Sequence, residues 1–202
     1  IFGPEYATRK AHVEIAGFAD GSLFPLPDAT HDLNPIQSAK LGLLCAIKLR
    51  QLRRYDCLIV ETQAMADMLL RQHSTDAPIW IVPNSPRDVF FDTEFPAPKI
   101  CLSRTTNNLT LFYPSRGYPH KNHKIIPQVA DKYLKLTGSQ LKIVTTLRAE
   151  ELESLGLTGE DSLINVGEIG SEECARLMYA CDGVFFPSLN ETASSTPLES
   201  LA

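Results

Sequence analysis

The chain has 202 residues, 44% of them hydrophobic, and its 19 Lys and Arg residues against 24 Asp and Glu residues give a net charge of −5. At roughly 100 to 200 residues per domain, this length allows one large domain or two small ones with a buried core. The composition argues against a disordered chain. The acidic balance argues against a protein that coats nucleic acid, because such a protein needs clustered Lys and Arg to displace counterions. No apolar run approaches the roughly 18 to 20 residues that cross a bilayer, so we expect the folded part to be soluble.

The five cysteines are odd in number, form no Cys-x-x-Cys pair and mostly have apolar neighbours; they are Cys45, Cys57, Cys101, Cys174 and Cys181. This usage predicts reduced core residues rather than a disulfide framework. No Cys and His residues stand at zinc-ligand spacing, so we expect no structural zinc. The chain lacks an initiating Met and stops soon after helix-start signals, so both ends are expected to be incomplete.

The first strong helix signal is Asn34-Pro35, an N-cap residue followed by proline at the first helical position. Apolar residues at helical spacing then predict a helix over 35–53; they are Ile36, Ala39, Leu43, Leu44 and Ile47. Its end is basic, with Lys48, Arg50, Arg53 and Arg54. These charges suit the negative end of the helix dipole; the alternative is contact with anionic lipid or a phosphorylated acceptor.

The next segment reads as strand, helix, strand. An apolar run at 57–60 predicts a buried strand, Thr62 can cap a helix that carries Met65, Met68, Leu69 and Leu70, and 79–82 predicts a second strand. Residues 92–108 are rich in Pro, Thr and Asn, which is typical of a linker. We therefore predict domains at 1–91 and 109–202, joined by 92–108.

Strand and helix patterns alternate throughout the second domain. The predicted strands are 109–113, 141–145, 163–166 and 184–186, and the predicted helices are 126–136, 149–155, 172–180 and one that opens near Pro197. Such alternation predicts an α/β fold with a parallel sheet and helices on both faces. In such sheets ligands bind beyond the carboxyl ends of the strands, so the loops there are the candidate sites.

The loop after the strand at 109–113 is basic. Arg116 supplies a forked guanidinium and Lys121 a flexible ammonium, a combination suited to a diphosphate. The alternative is a solvated basic loop. His120 and His123 are predicted to be surface residues rather than ligands or bases.

The loop after the strand at 184–186 leads into a helix start. Thr196, Pro197 and Glu199 form a capping-box pattern, which would place the amides of Ser194 and Ser195 where a helix N-terminus favours phosphate. The alternative role for Glu199 is to cap its own helix.

Glu191 and Glu199 are separated by seven residues across this helix start. Glu160 and Glu168 have the same separation without a strand-loop-helix setting, so the spacing alone proves little.

These residues support a family resemblance. The chain resembles the donor half of retaining GT-B glycosyltransferases of the group 1/family 4 type, with their Glu-x7-Glu motif, at Arg116, Lys121, Glu191 and the run at 197–202. The segment Val82-Pro83-Asn84 also resembles the one that these enzymes carry shortly before their interdomain linker. The likeness spans about 80–202, and its 121–123 run is most similar to enzymes of bacterial surface polysaccharide assembly. It implies two Rossmann-like parallel-sheet domains, an acceptor-side domain and a donor-binding domain, with the first domain and the C-terminal end incomplete.

The resemblance also implies roles for individual residues. Arg116 and Lys121 would hold the donor diphosphate, Glu191 would be the catalytic residue that faces the transferred sugar, and Glu199 would bind the ribose. The loop with Gly167 and Ile169 would lie by the base, and the amides of Ser194 and Ser195 would support the phosphates. One departure is the run at 192–194, Thr-Ala-Ser, where many members have Gly-Phe-Gly, which restricts backbone approach to the ligand.

The implied reaction moves a sugar from a GDP- or UDP-sugar to a hydroxyl of a saccharide or lipid-linked acceptor, with retention and with neither cofactor nor metal. The setting would be the cytoplasm, with peripheral contact at the inner face of the membrane as a further option and no nucleic-acid partner. Two alternatives stay open, a non-catalytic donor-binding fragment and a nucleotide-sugar epimerase of GT-B architecture. Dehydrogenase and P-loop activities lack support, because no Gly-x-Gly-x-x-Gly or P-loop pattern follows a strand.

Overall fold

The computed structural model describes residues 12–19, 34–72, 76–91, 96–99 and 108–202. It divides into two compact units, the first formed by Ile1–Asn84 with Leu189–Ser194 and the second by Ser85–Ser188 with Ser195–Ala202. The predicted linker at 92–108 lies largely outside the described residues, so the predicted domain limits stay predictions. In the described ranges, no helix is both long and apolar enough to span a bilayer.

The first unit contains a parallel sheet of three strands in the order β1-β2-β3. The strands are β1 (Ile15–Phe18), β2 (Cys57–Val60) and β3 (Ile79–Ile81), and the helices are α1 (Pro35–Leu52) and α2 (Gln63–Gln72). All but β1 were predicted. The four residues of β1 include Ala and Gly, which have low strand propensity, so their composition does not mark a strand.

Both helix starts in this unit are determined locally. The Asn34 side chain accepts a bond from the Gln37 amide at 2.9 Å, and the Gln37 side chain accepts one from the Asn34 amide at 3.0 Å, which completes a capping box. At α2, Thr62 Oγ1 accepts a bond from the Met65 amide at 3.2 Å. These contacts span only three residues, which is why the sequence predicts them.

The apolar face predicted for α1 is largely exposed, so the prediction of its buried face is wrong. Ile36 and Leu43 are 81% and 64% exposed, and Leu44 and Ile47 are exposed as well. The residues that pack into the core of the first unit are Cys45, Leu49 and Leu52. Helix α1 is apolar on both faces, so periodicity alone cannot tell which face meets the sheet.

The second unit contains a four-stranded parallel sheet in the order β6-β5-β4-β7. Its strands are β4 (Asn108–Tyr113), β5 (Gln140–Thr145), β6 (Leu163–Asn165) and β7 (Gly183–Val184). Its helices are α3 (Ile126–Thr137), α4 (Ala149–Ser154), α5 (Ser171–Ala180) and α6 (Ser195–Glu199), and 3-10 turns lie at Asp88–Phe91, Pro119–Lys121 and His123–Ile125. The sheet grows from β4 through β5 to β6 and then resumes on the other side with β7, so its topological switch point lies beside β4.

The register aligns the ends of three strands. Tyr113 pairs with Thr145, which pairs with Asn165, so the loops after β4, β5 and β6 open at one edge of the sheet. Phe112 packs with α5 on one face, and Tyr113 packs with α3 on the other. Two buried layers therefore hold the strand ends that carry the candidate loops.

Two sequence predictions shift at the C-terminal end of this unit. The strand expected at 184–186 is Gly183–Val184, and α6 begins at Ser195, which makes Pro197 its third residue rather than its first. Proline is tolerated in a first turn because the amides there lack intrahelical partners. Thr196 is then the second residue of the helix rather than its N-cap, so the expected capping box from Thr196 to Glu199 is wrong.

Four cysteines among the described residues are free thiols; Cys57 and Cys174 are buried, and Cys45 and Cys181 are partly buried. Cys101 lies outside the described residues.

Candidate functional site

A cavity of about 490 Å³ opens in the second unit at the carboxyl ends of β4, β5 and β6. Its lining is formed by Arg87, Pro114, Ser115, Arg116, Thr146, Glu168, Ile169, Gly170, Ser171 and Cys174. The start of α5 contributes the last of these residues, so a helix N-terminus borders the cavity. This is the edge at which an open parallel sheet binds its ligands.

Arg116 is held at the cavity wall by two carboxylates. Its Nε donates to Glu151 Oε1 at 3.1 Å, and its Nη1 donates to Glu168 Oε1. Arg148 Nη2 also donates to Glu168 Oε1, at 2.6 Å. Two guanidinium groups and two carboxylates thus form a charge-balanced network around the predicted diphosphate-binding arginine.

The same network keeps both carboxylates ionised. The side-chain hydrogen bond from Arg148 lowers the pKa of Glu168, and the charges of Arg148 and Arg116 add to this effect. Burial opposes a lowered pKa at Glu151. It is outweighed by hydrogen bonds from the backbone amides of Arg148 and Gly117 and by the charge of Arg116, so the pKa of Glu151 also lies below its ordinary value.

Two glycines shape these loops. A Cβ on Gly117 would lie 2.9 Å from the Cβ of Glu151, and the Gly117 amide donates to Glu151 Oε1 at 3.2 Å. Gly167, in the loop that leads to Glu168, has φ +75°, a left-handed conformation that favours glycine. Close approach at one position and backbone handedness at the other explain why these residues lack side chains.

His123 is a buried residue, so its predicted surface position is wrong. It is 1% exposed, its Nε2 lies 2.9 Å from Ser115 Oγ, and its ring centroid lies 4.8 Å from that of Tyr113. The left-handed turn at Asn122, with φ 56°, returns the chain into the structure between two 3-10 turns. The sequence does not predict this burial, because charged residues such as Lys121 and Lys124 stand close to His123 along the chain.

The buried imidazole of His123 is neutral. Burial lowers its pKa to about 4; the negative charge of Glu151 opposes this shift, and the positive charge of Lys121 adds to it. His123 therefore supports the hydroxyl of Ser115, a cavity-lining residue, without adding charge to the site.

The loops after β4 and β7 are joined by hydrogen bonds. Tyr113 Oη donates to the Lys121 carbonyl at 2.7 Å and lies 3.2 Å from Ser188 Oγ. Asn122 Nδ2 donates to the Pro187 carbonyl at 3.3 Å. The backbone at Lys121 is therefore fixed beside the switch point of the sheet.

Arg87 is a site residue that the sequence analysis missed. Its Nε donates to Glu199 Oε1 at 3.1 Å, and its Nη1 donates to Ser171 Oγ at 2.6 Å. The Glu199 side chain is only 4% exposed. In this structure the carboxylate of Glu199 is thus bound to Arg87, 112 residues away in the sequence. The pairing leaves no local sequence signal.

Cys174, at the cavity wall, is a protonated thiol at neutral pH. Burial and the charge of Glu199 raise its pKa to about 11, which the charge of Arg87 opposes. It is therefore unsuited to act as a nucleophile.

Glu191 and Ser194 belong to the segment at 189–194, which is part of the first unit. Thr192 Oγ1 donates to the Ala19 carbonyl at 3.2 Å, and the Thr192 carbonyl accepts a bond from Thr62 Oγ1 at 3.2 Å. Asn84 Nδ2 donates to the Ala193 carbonyl at 3.4 Å. Thr192, which stands where many members of the resembled family have glycine, anchors the segment through its hydroxyl to Ala19 beyond β1 and through its carbonyl to Thr62 beyond β2.

The structure thus brings some of the predicted site residues together. Arg116 and Ile169 line the cavity, and Glu199 lies one hydrogen bond from it through Arg87. The remaining residues predicted in the second unit lie outside the lining; they are Lys121, Gly167 and Ser195. The described residues contain no group of three His, Cys, Asp or Glu side chains that could hold a metal ion. The predicted ligand roles all stay predictions.

Neither a protein-family model nor a curated protein sequence matches the chain. Several solved structures do. The apo structure of OtsA has a TM-score of 0.62 at 14% identity, over 92% of this chain and 49% of OtsA. Sucrose-phosphate synthase from Thermosynechococcus elongatus has a TM-score of 0.58 at 16% identity, over 93% of this chain and 47% of the synthase. TarM has a TM-score of 0.58 at 16% identity, over 77% of this chain and 30% of TarM.

All three are GT-B glycosyltransferases. The chain has the GT-B fold. The predicted α/β, GT-B-like class with parallel sheets is therefore confirmed. At these identities the likeness to GT-B enzymes concerns the fold, and the chain spans less than half the length of each of the three.

Proposed function

We propose that the chain is the donor-binding part of a GT-B glycosyltransferase that moves a sugar from a nucleoside-diphosphate sugar to an acceptor hydroxyl. The observation that carries this proposal is the cavity at the carboxyl ends of β4, β5 and β6, with Arg116 in its wall and the start of α5 at its border. Cationic side chains and helix-start amides together suit a diphosphate.

The leaving group of this reaction is a nucleoside diphosphate, whose negative charge must be stabilised. Arg116 is the primary contact, and Lys121 supplies a second positive charge. Arg116 binds Glu151 and Glu168, so a diphosphate has to compete with a carboxylate. We expect the diphosphate to displace Glu168 from Arg116, because the Glu168 side chain is 53% exposed whereas Glu151 also accepts two backbone hydrogen bonds.

We also propose the stereochemistry, the acceptor and the residue roles that the family resemblance implies. Transfer proceeds with retention and without a metal, Glu191 faces the transferred sugar, and the acceptor is a saccharide or lipid-linked acceptor in the assembly of a surface polysaccharide. Gly167 and Ile169 lie by the base, and the amides of Ser194 and Ser195 support the phosphates. The support is the resemblance of the 80–202 region to group 1/family 4 enzymes together with the GT-B fold.

The comparisons also suggest the first nucleotide to test. A TarM mutant from S. aureus was solved in complex with Fondaparinux, alpha-GlcNAc-glycerol and UDP, and it matches 84% of this chain with a TM-score of 0.52 at 16% identity. UDP and UDP-sugars are therefore the first probes, and GDP and GDP-sugars the second.

A thermal-shift screen with UDP- and GDP-sugars tests the donor site. A donor at 100 times its dissociation constant stabilises the folded chain by about 2.7 kcal/mol, so one base is expected to raise Tm and the other to have less effect. Unchanged Tm with every donor would contradict the proposal.

Glu191→Gln tests the catalytic assignment in an enzyme preparation that transfers sugar. We expect sugar transfer to fall much more than donor affinity, because the carboxylate acts on charge that develops in the transition state. Equal losses in both would make Glu191 a binding residue. Following a labelled sugar also separates transfer from epimerisation, which would leave the sugar inverted on its nucleotide.

We further propose that α1 makes the peripheral contact with the inner face of the membrane. Ile36 and Leu43 are strongly exposed on this helix, and basic residues such as Lys40 and Arg50 accompany them. The sequence from 34 to 55 contains no Asp or Glu. Exposed apolar side chains among positive charges suit the interface of an anionic bilayer.

A further inference from the structure

Arg87 connects three features of the second unit. It lines the cavity, its Nη1 binds Ser171 at the start of α5, and its Nε binds Glu199 at the end of α6. Its guanidinium also lies over the ring of Phe90, with Cζ 5.2 Å from the ring centroid. Two hydrogen bonds and a stacked ring fix the plane of this side chain.

Glu199 needs such a partner because its side chain is nearly buried. Removing a carboxylate from water is costly unless a cation and hydrogen bonds compensate for the lost hydration. Among the described residues, Arg87 is the cation that pairs with Glu199. The bond uses Oε1, which leaves Oε2 able to accept hydrogen bonds from a ligand.

The geometry points to a specific task for this pair. We propose that Arg87 is a positioning residue that determines specificity, because it holds the Glu199 carboxylate in place to accept hydrogen bonds from the ribose hydroxyls of a nucleoside diphosphate. This inference rests on the proposed donor-binding function and adds a residue to it. A carboxylate fixed in place is a good acceptor for hydrogen bonds from ribose hydroxyls. A dideoxyribose lacks these hydroxyls and cannot donate to the carboxylate, so the site should bind it more weakly.

The test compares UDP with 2′,3′-dideoxy-UDP by calorimetric titration of the whole chain, and GDP with its dideoxy form in parallel. The native chain should prefer the ribonucleotide at least about ten-fold, as expected for hydrogen bonds to a charged group. Arg87→Ala should bring this ratio close to one, mainly by weakening the binding of the ribonucleotide. Arg87→Lys retains the positive charge but not the forked guanidinium, so its ratio should lie between those of the native chain and Arg87→Ala.

Arg71→Ala is the matched control. Arg71 forms a solvent-exposed pair with Asp67 within α2, so its loss should leave the ratio unchanged. Glu199→Gln is the second variant, which keeps the shape of the side chain and Arg87 itself. It should lower the ratio as Arg87→Ala does, and it decides the matter if Arg87→Ala does not fold.

Several outcomes would overturn the inference. If Arg87→Ala weakens both nucleotides equally, Arg87 acts on the phosphates rather than through Glu199. If the native chain binds UDP or GDP without preferring ribose, the inference fails while the donor-binding function stands. If the native chain binds no nucleoside diphosphate, the proposed function itself fails and the inference fails with it.

Discussion

At the residue scale, the site depends on polar groups that are held in place by their neighbours. Arg116 is bound to Glu151 and Glu168, Arg87 is bound to Glu199, and His123 is kept neutral by burial. The cavity therefore has charged groups held in place before a ligand arrives, which reduces the cost of ordering them on binding.

The neutral state of His123 predicts a pH dependence of stability. Its folded pKa of about 4 lies below the ordinary value of 6.5, so between these values the unfolded chain binds more protons. Stability should therefore be fully present above pH 6.5, decrease as the pH falls through this window and lose about 3 kcal/mol from this group in total.

The measurement is the unfolding free energy of the native chain and of His123→Gln from pH 7 to pH 4.5. The variant should lose less stability over this range, because it lacks the group that gains a proton on unfolding. His120→Gln is the control and should follow the native curve, since His120 is a partly exposed residue stacked on Tyr118. Parallel curves for the native chain and His123→Gln would contradict the neutral buried state.

At the element scale, features that depend on neighbouring residues could be predicted from the sequence. The capping box of α1, the strand β4 and the helix α3 all follow from patterns within a few residues. The buried face of α1 could not be predicted, because both faces are apolar. His123 was misassigned because the turn at Asn122, rather than composition, decides its burial.

The exposed face of α1 predicts binding to anionic vesicles. Each Lys or Arg near an anionic surface contributes about 1 kcal/mol, so reversing Lys40 and Arg50 to Glu should weaken binding more than about ten-fold. The measurement is co-sedimentation with phosphatidylcholine vesicles that contain or lack phosphatidylglycerol.

The matched control for this experiment reverses Lys132 and Lys135 on α3, an equal change of charge at another exposed place. It should leave vesicle binding nearly unchanged. Equal losses of vesicle binding in both double variants would show a general charge effect and contradict the proposed contact. Equal binding to vesicles with and without phosphatidylglycerol would also contradict it.

At the scale of the whole molecule, the alternation of strands and helices was enough to predict parallel sheets and the edge where a ligand site should lie. The sequence could not predict the pairing of Arg87 with Glu199, because that contact spans 112 residues. It also could not predict that the segment at 189–194 belongs to the first unit. Such long-range contacts are decided by tertiary packing rather than by local pattern.

The central claim is that the second unit binds a nucleoside diphosphate through the basic loop after β4. Calorimetric titration of the chain with UDP and with GDP tests it most directly, with Arg116→Ala and Lys121→Ala compared against the exposed control Lys132→Ala. The account predicts one-site binding of at least one nucleotide, weakened about ten-fold or more by each loop variant and unchanged by the control. No binding heat with either nucleotide, or equal affinities in all four proteins, would contradict it.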